Sequence, residues 1–159
     1  MKQIIKQFSS YFFLIAITFG ASFLGNTYLS ANNFFWYDQL IKPNLTPPSW
    51  MFSVVWPILY FLMASAAWII WKRNGFFCKE LYWYSGQLIV NALYMPLFFG
   101  YHLLLPSSVL IIVLIALITK TVQLFLKVDS YAGLLLMPYL IWSCFAFYLS
   151  SGIVLLNIS

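Results

Sequence analysis

Charge is what this sequence has least of. Only 7% of its 159 residues are charged, and the acids among them number three: Asp38, Glu80 and Asp129. All three fall between apolar runs or at their ends. No carboxylate pair is at hand for general acid–base work, and no buried acid for proton coupling. Histidine occurs once, at His102. One imidazole makes no metal cluster, and a haem ligand needs a shaped pocket around it, so a solvated loop position is the simpler reading. Cysteine occurs twice; Cys78 and Cys144 show neither metal-ligand spacing nor a CxxC pattern and are read as free thiols. No Ser–His–Asp set, glycine-rich phosphate loop or metal cluster can be assembled. These absences argue against a pump, a channel with a charged filter and a hydrolase. The sequence also lacks low-complexity segments, clear internal repeats and any sign of a second domain.

What is there is apolar. The chain is 64% hydrophobic and 21% aromatic, with a mean hydropathy of +0.91, against about 45–50% apolar in an ordinary soluble domain. No soluble fold hides that much apolar surface, so the solvent is lipid. Five apolar runs are of spanning length: Phe8–Leu29, Trp50–Trp71, Tyr82–Tyr101, Pro106–Leu126 and Tyr131–Leu156. They are continuous rather than alternating, which favours helices over a barrel. The expected fold is an all-α membrane protein, a single domain over residues 1–159, with the long first loop at 30–49. The short third link makes spans three and four an antiparallel hairpin, with Pro106 in the first turn of the fourth helix. The first span is too long for a signal peptide and lacks a convincing small-x-small cleavage site.

The net charge of +5 is no sign of nucleic-acid binding, because the basic residues are scattered and flank the apolar runs. With five spans, Lys2, Lys6, Lys72, Arg73, Lys79, Lys120 and Lys127 share one side and Lys42 has the other. The positive-inside rule then puts the N-terminus in the cytoplasm and the C-terminus outside. Lys120 lies inside an apolar stretch but near its end, so it snorkels. Ala21 with Gly25, and Ser65 with Ala66, are spaced for close helix packing.

The stretch "LIKPNLTPPSWMFSVVWPILY" holds four prolines, a lysine and two tryptophans, with Pro43, Pro47, Pro48 and Lys42 at the mouth of the second span. On helical spacing Trp56 and Tyr60 share a face, as do Gln87, Asn91 and Tyr94. Asn91 is costly against lipid, so its face looks inward. An aromatic belt at the interfaces accounts for Trp36, Trp50, Trp71, Tyr82 and Trp83 but poorly for Trp142, which sits mid-span one turn past Pro138. A cavity lined by indoles, phenols and an amide suits a large, flat, mostly apolar ligand with a few polar handles.

Three stretches carry a family resemblance: "WYDQLIKPNLTPPSWMFSVVWPILY", "YSGQLIVNALYMPLFF" and "LLMPYLIWSCFAFYLS". In that order they resemble the motifs of the TspO/translocator protein family, also called tryptophan-rich sensory proteins or peripheral-type benzodiazepine receptors, over about Trp36 to Leu149. The resemblance implies a five-transmembrane-helix bundle, often a homodimer. It implies binding of porphyrins, haem and related tetrapyrroles, and of isoquinoline- or benzodiazepine-type ligands. Carried over by motif, the ligand site takes Tyr37, Pro47 and Pro48 from the loop and Trp56 and Tyr60 from the second helix. Asn91 and Tyr94 come from the third, where Gln87 shares their face, and Trp142, Phe145 and Ala146 from the fifth. The loop "KPNLTPP" looks like a lid whose prolines lower the cost of ordering it, with Lys42 and Trp50 at its base. No intrinsic cofactor or metal is implied.

The chain departs from the family pattern at three points. Leu45 stands where an aromatic is usual, Tyr94 where a tryptophan is usual, and Ser150 where an asparagine is usual. The C-terminal stretch lacks the sterol motif proposed for animal members, so a bacterial member binding tetrapyrrole rather than sterol is expected. A receptor or carrier is the first reading. A light-dependent porphyrin-degrading enzyme using Trp56 and Trp142 as redox-active indoles is an alternative, and an interaction protein a third. A transporter is weakened by the missing ion-coupling residues.

Overall fold

In the computed structural model, residues 2–26, 28 and 30–157 are described, with side chains from Ser9 onward except at 22, 24–26 and 31. Six α-helices account for most of them: α1 Lys2–Asn26, α2 Ala31–Gln39, α3 Ser49–Asn74, α4 Lys79–Met95, α5 Leu104–Val128 and α6 Ser130–Asn157. A π-helical turn, Pro96–Gly100, extends α4. The five long helices close a ring in the order α1, α3, α6, α5, α4 and back to α1. Three of them, α3, α5 and α6, are long and apolar enough by length and composition to cross a membrane, and α1 carries a shorter apolar stretch, Ser9–Ala21.

The local chemistry explains the breaks. Pro47 and Pro48 precede α3, whose last turn carries Lys72 and Arg73 before Gly75 ends it. After the π turn, Tyr101–Leu103 reverses the chain, with His102 at φ 55°. Pro106 falls in the first turn of α5, where its missing N–H leaves no bond unmade. Pro57 and Pro138 lie inside α3 and α6; freed carbonyls of this kind are tolerated where neighbouring helices cover them.

One expectation is corrected. The 30–49 segment is not all loop, because Ala31–Gln39 forms α2. The Ser30 hydroxyl accepts the Asn33 N–H at 3.3 Å, which caps the helix. The prolines begin only at Pro43, so nothing before them blocks coiling.

Small residues draw the ring together. Ala64, Ala66 and Ala67 of α3 are fully buried. Ser65 is half-buried and bonds the Tyr11 hydroxyl at 2.9 Å. Ala21 packs against the core, while Gly25 lies outside the residues whose side chains are described. Between α1 and α4 the Thr18 hydroxyl donates to the Leu14 carbonyl at 2.7 Å. Its bond to the Tyr84 hydroxyl, also 2.7 Å, is therefore donated by the tyrosine. Gly133 of α6 faces α5 so closely that an added Cβ would lie 3.0 Å from the Leu126 backbone nitrogen. Cys78 is buried and Cys144 exposed, both as free thiols.

Asp129 is the single residue between α5 and α6. One of its oxygens accepts the Ala132 N–H at 3.1 Å, and the other pairs with Arg73 at the end of α3. The Ala132 N–H first, and then the Arg73 guanidinium, hold this carboxyl below the usual carboxylate range. A lowered folded-state pKa stabilises above the unfolded value and is lost as pH falls through the folded one. Asp129→Asn, which keeps the helix cap, is therefore expected to unfold at lower temperature than the native chain in detergent near neutral pH. That gap closes on acidification below the ordinary carboxylate range, as thermal scans across pH will show. Gly133→Ala is expected to cost about 1–3 kcal/mol through overpacking, read as a lower unfolding midpoint that does not vary with pH.

Candidate aromatic ligand chamber

The site is built around one amide. Asn91 of α4 is buried. The Tyr60 hydroxyl of α3 donates to its Oδ1 at 3.1 Å, and its Nδ2 donates to the Tyr139 hydroxyl of α6 at 2.9 Å. Three helices thus meet at one side chain. Trp56 stacks on Tyr60 with ring centroids 5.4 Å apart and meets Tyr139 edge-on at 6.4 Å. The Trp142 ring follows one turn along α6, against Phe52 at 5.8 Å and Phe145 at 5.6 Å.

A second aromatic group joins the bundle to the α2 helix. Phe98, in the π turn, is 2% exposed. It touches Trp36 at 5.6 Å, Tyr37 at 6.1 Å and Tyr94 at 5.5 Å. Trp36 also stacks on the His102 ring at 3.9 Å, and Tyr37 carries the Lys42 ammonium 4.6 Å above its ring. Burial, and then the neighbouring Asp38, raise the Tyr37 phenol above its ordinary value, so it stays a neutral donor. Of two departures from the family pattern, Tyr94 stacks on Phe98 and Ser150 pairs with Ser108 of α5 at 2.7 Å.

The lid segment is tied at its start. The Asn157 side chain accepts the Ile41 N–H at 3.0 Å and donates to the Ile41 carbonyl at 2.9 Å. Beside it Pro43 lies over Gly152, where a Cβ would stand 3.0 Å from the proline ring. Thr46 closes the turn onto the Pro43 carbonyl through both its N–H and its hydroxyl.

The structure thus brings Trp56, Tyr60 and Asn91 into one network, sets Trp142 a ring away and adds Tyr37 and Tyr94 through Phe98. It does not bring in every residue read from the sequence. Pro48 is exposed at the start of α3, and Pro47 and Ala146 are half-buried; Phe145 meets the Trp142 ring and also stacks on the exposed Tyr148 at 6.2 Å. Gln87 is fully buried, but neither its Nε2 nor its Oε1 has a partner, and the same holds for Trp142 Nε1. Three residues escaped the sequence reading: Tyr139, Phe98 and Asn157. Tyr139 stands three positions before Trp142 on the same helical face, which was a usable signal. Phe98 and Asn157 gave none.

The comparisons with known proteins agree with the geometry. The model of the TspO/MBR family matches residues 12–156. The tryptophan-rich sensory protein of Cereibacter sphaeroides is 38% identical over 108 residues, 68% of each chain. The tryptophan-rich protein TspO of Archaeoglobus fulgidus is 38% identical over 157 residues, 98% of this chain and 99% of that one. The human translocator protein is 31% identical over 137 residues, 84% of this chain and 80% of its own.

Phe98 is buried and packs on both Trp36 and Tyr37 of α2, so Phe98→Ala is expected to cost about 3–5 kcal/mol. It is also expected to open the lid segment, read as cleavage between α2 and α3 at protease levels that leave the native chain whole.

Proposed function

The chain belongs to the TspO/MBR family of membrane proteins, and from that we propose that it is an integral membrane receptor or carrier for a tetrapyrrole such as protoporphyrin IX or haem. All five long helices span the bilayer in this reading, α1 and α4 included, and the lid faces away from the cytoplasm. The protein works as a homodimer. Isoquinoline- and benzodiazepine-type compounds enter the same chamber.

The supporting observation is the set of buried polar atoms without partners, Trp142 Nε1 and both ends of Gln87. Buried polar groups are nearly always satisfied in native structures. A flat apolar macrocycle with polar edge groups covers aromatic walls and also supplies the missing partners. Ring packs on ring around Trp56 and Trp142, so entry of the ligand displaces Trp142 and lifts the Pro43–Pro48 segment.

A second reading, light-driven degradation of the porphyrin, draws support from the stack of Trp56 on Tyr60. Trp56 would pass an electron to the photoexcited pigment, with the Tyr60 phenol beside it as relay.

Protoporphyrin IX titrated into the detergent-purified chain in the dark is expected to bind saturably, with a shifted absorption band. Trp142→Phe and Gln87→Leu each weaken binding about tenfold, the scale of one hydrogen bond to a buried group. No saturable binding at micromolar pigment overturns the reading. Bleaching under light that Trp56→Phe abolishes, with binding kept, selects the enzyme.

A further inference from the structure

One side chain joins the end of α6 to the segment between α2 and α3. Asn157 is the last residue of α6, and its amide is committed in three directions. Its Oδ1 accepts the Ile41 N–H at 3.0 Å. Its Nδ2 donates to the Ile41 carbonyl at 2.9 Å and to the Ile153 carbonyl, one turn back on its own helix, at 2.8 Å. Both amide hydrogens are therefore used, and the Ile153 bond holds the side chain in the orientation that meets Ile41. Toward Ile41 the amide does what a residue on a neighbouring strand does: it takes the donor and the acceptor of one residue together. The backbone is ready for it, because the chain leaves α2 extended, with Leu40 at φ −70° and ψ 141°.

Among the described residues, little else ties this segment to α6. The Ile41 side chain is 60% exposed and that of Leu45 67%, so neither anchors it by burial. Lys42 turns back toward α2, to Asp38 and the Tyr37 ring. Thr46 bonds within its own turn, to the Pro43 carbonyl. The remaining contact is Pro43 against Gly152, which is apolar and non-directional. The two Ile41 bonds are directional, and both leave from one amide, so they break together. The turn from Pro43 to Thr46 is closed on itself and moves as a unit once Ile41 is released.

We propose that Asn157 is the latch of the lid. While its amide holds Ile41, the Pro43–Pro48 segment stays against the bundle. When the amide lets go, the segment swings out as a closed turn and the chamber opens on that side. As a gate for a ligand, the latch rests on the tetrapyrrole reading above; as a joint between α6 and the lid it does not.

The test is amide hydrogen exchange of the full chain in detergent, without ligand, resolved at Ile41 by fragmentation. In Asn157→Ala the Ile41 amide is expected to exchange about tenfold faster, the scale of two exposed hydrogen bonds lost together. The Thr46 amide keeps its protection, because its partner travels with it, and the amides of α3 and α5 do not change. Asn157→Asp supplies a reversible form. An ionised carboxylate accepts the Ile41 N–H but has no hydrogen for the carbonyl, whereas a protonated carboxyl has both. Its Ile41 amide is therefore expected to exchange faster than in the native chain near neutral pH. It regains protection below about pH 4, the ordinary carboxylate range, with the native chain compared at each pH. Protoporphyrin IX, as the probe, is expected to enter and leave Asn157→Ala faster than the native chain, with affinity changed less than either rate. A native exchange rate at Ile41 in Asn157→Ala overturns the latch. So does faster exchange spread evenly through α3, α5 and α6, since Asn157 then serves the bundle and not the lid. Faster exchange at Ile41 with pigment rates unchanged overturns the gate. Pigment that binds to neither chain removes the tetrapyrrole reading, and the exchange at Ile41 still decides the latch.

Discussion

Asn91 is a polar amide in the middle of an apolar ring of helices, and lipid offers it no hydrogen bonds. It must find partners inside the protein, and it finds two, the Tyr60 and Tyr139 hydroxyls. Each tyrosine is buried and needs a partner for the same reason. The three groups satisfy one another only when α3, α4 and α6 stand at one depth and one rotation. That constraint sets the level of everything outward of it. Trp56 rests on Tyr60, Tyr94 lies one turn beyond Asn91, and Trp142 lies one turn beyond Tyr139. A few bonds among side chains thereby hold an aromatic layer that would otherwise slide freely, since apolar surfaces in lipid have little preference for one register.

The layer has a floor and a cover of different character. Below Asn91, Gln87 is left with all four of its capacities unused, and above it Trp142 has one. In the proposed tetrapyrrole reading, these are the atoms that the ligand's polar edge satisfies. The cover is held at its start. Phe98 grips α2 through Trp36 and Tyr37, and Asn157 clasps the Ile41 backbone beside Pro43 on Gly152. From there to α3 the chain is a proline-stiffened turn that Thr46 closes onto the Pro43 carbonyl. In the proposed tetrapyrrole reading, a lid fastened on one side lifts to admit the ligand without unfolding the bundle.

Much of this was legible in the residues. The five apolar runs fall on the five long helices, with ends that differ by one to six positions: the first starts at Phe8 where α1 starts at Lys2, and the third runs on through the π turn after α4. Asn91 announced an inward face, and helical spacing carried Tyr60 and Trp56 with theirs. Helix α2 was hidden because a proline-rich stretch dominated the reading of its neighbours, though Ser30 and Asn33 mark its start. Tyr139 was overshadowed by the tryptophan beside it. Phe98 depends on a π turn that shifts its side chain by one position in register, and no simple spacing rule exposes that. Asn157 joins Ile41 across 116 residues, a separation at which pattern carries no information.

The bridging role of Asn91 is open to one direct measurement: protein unfolding in detergent compared between Asn91→Ala and the double change Tyr60→Phe with Tyr139→Phe. Removing the amide alone takes the Asn91 partner from two buried hydroxyls and is expected to cost about 1–3 kcal/mol for each one that finds no other. Removing both hydroxyls strands one amide and should cost less than the single Asn91 change. Protoporphyrin affinity measured on the same samples should fall with Asn91→Ala, because the aromatic layer loses its level. An Asn91→Ala chain as stable as the native one, binding pigment equally well, would show that the three helices take their register from something else.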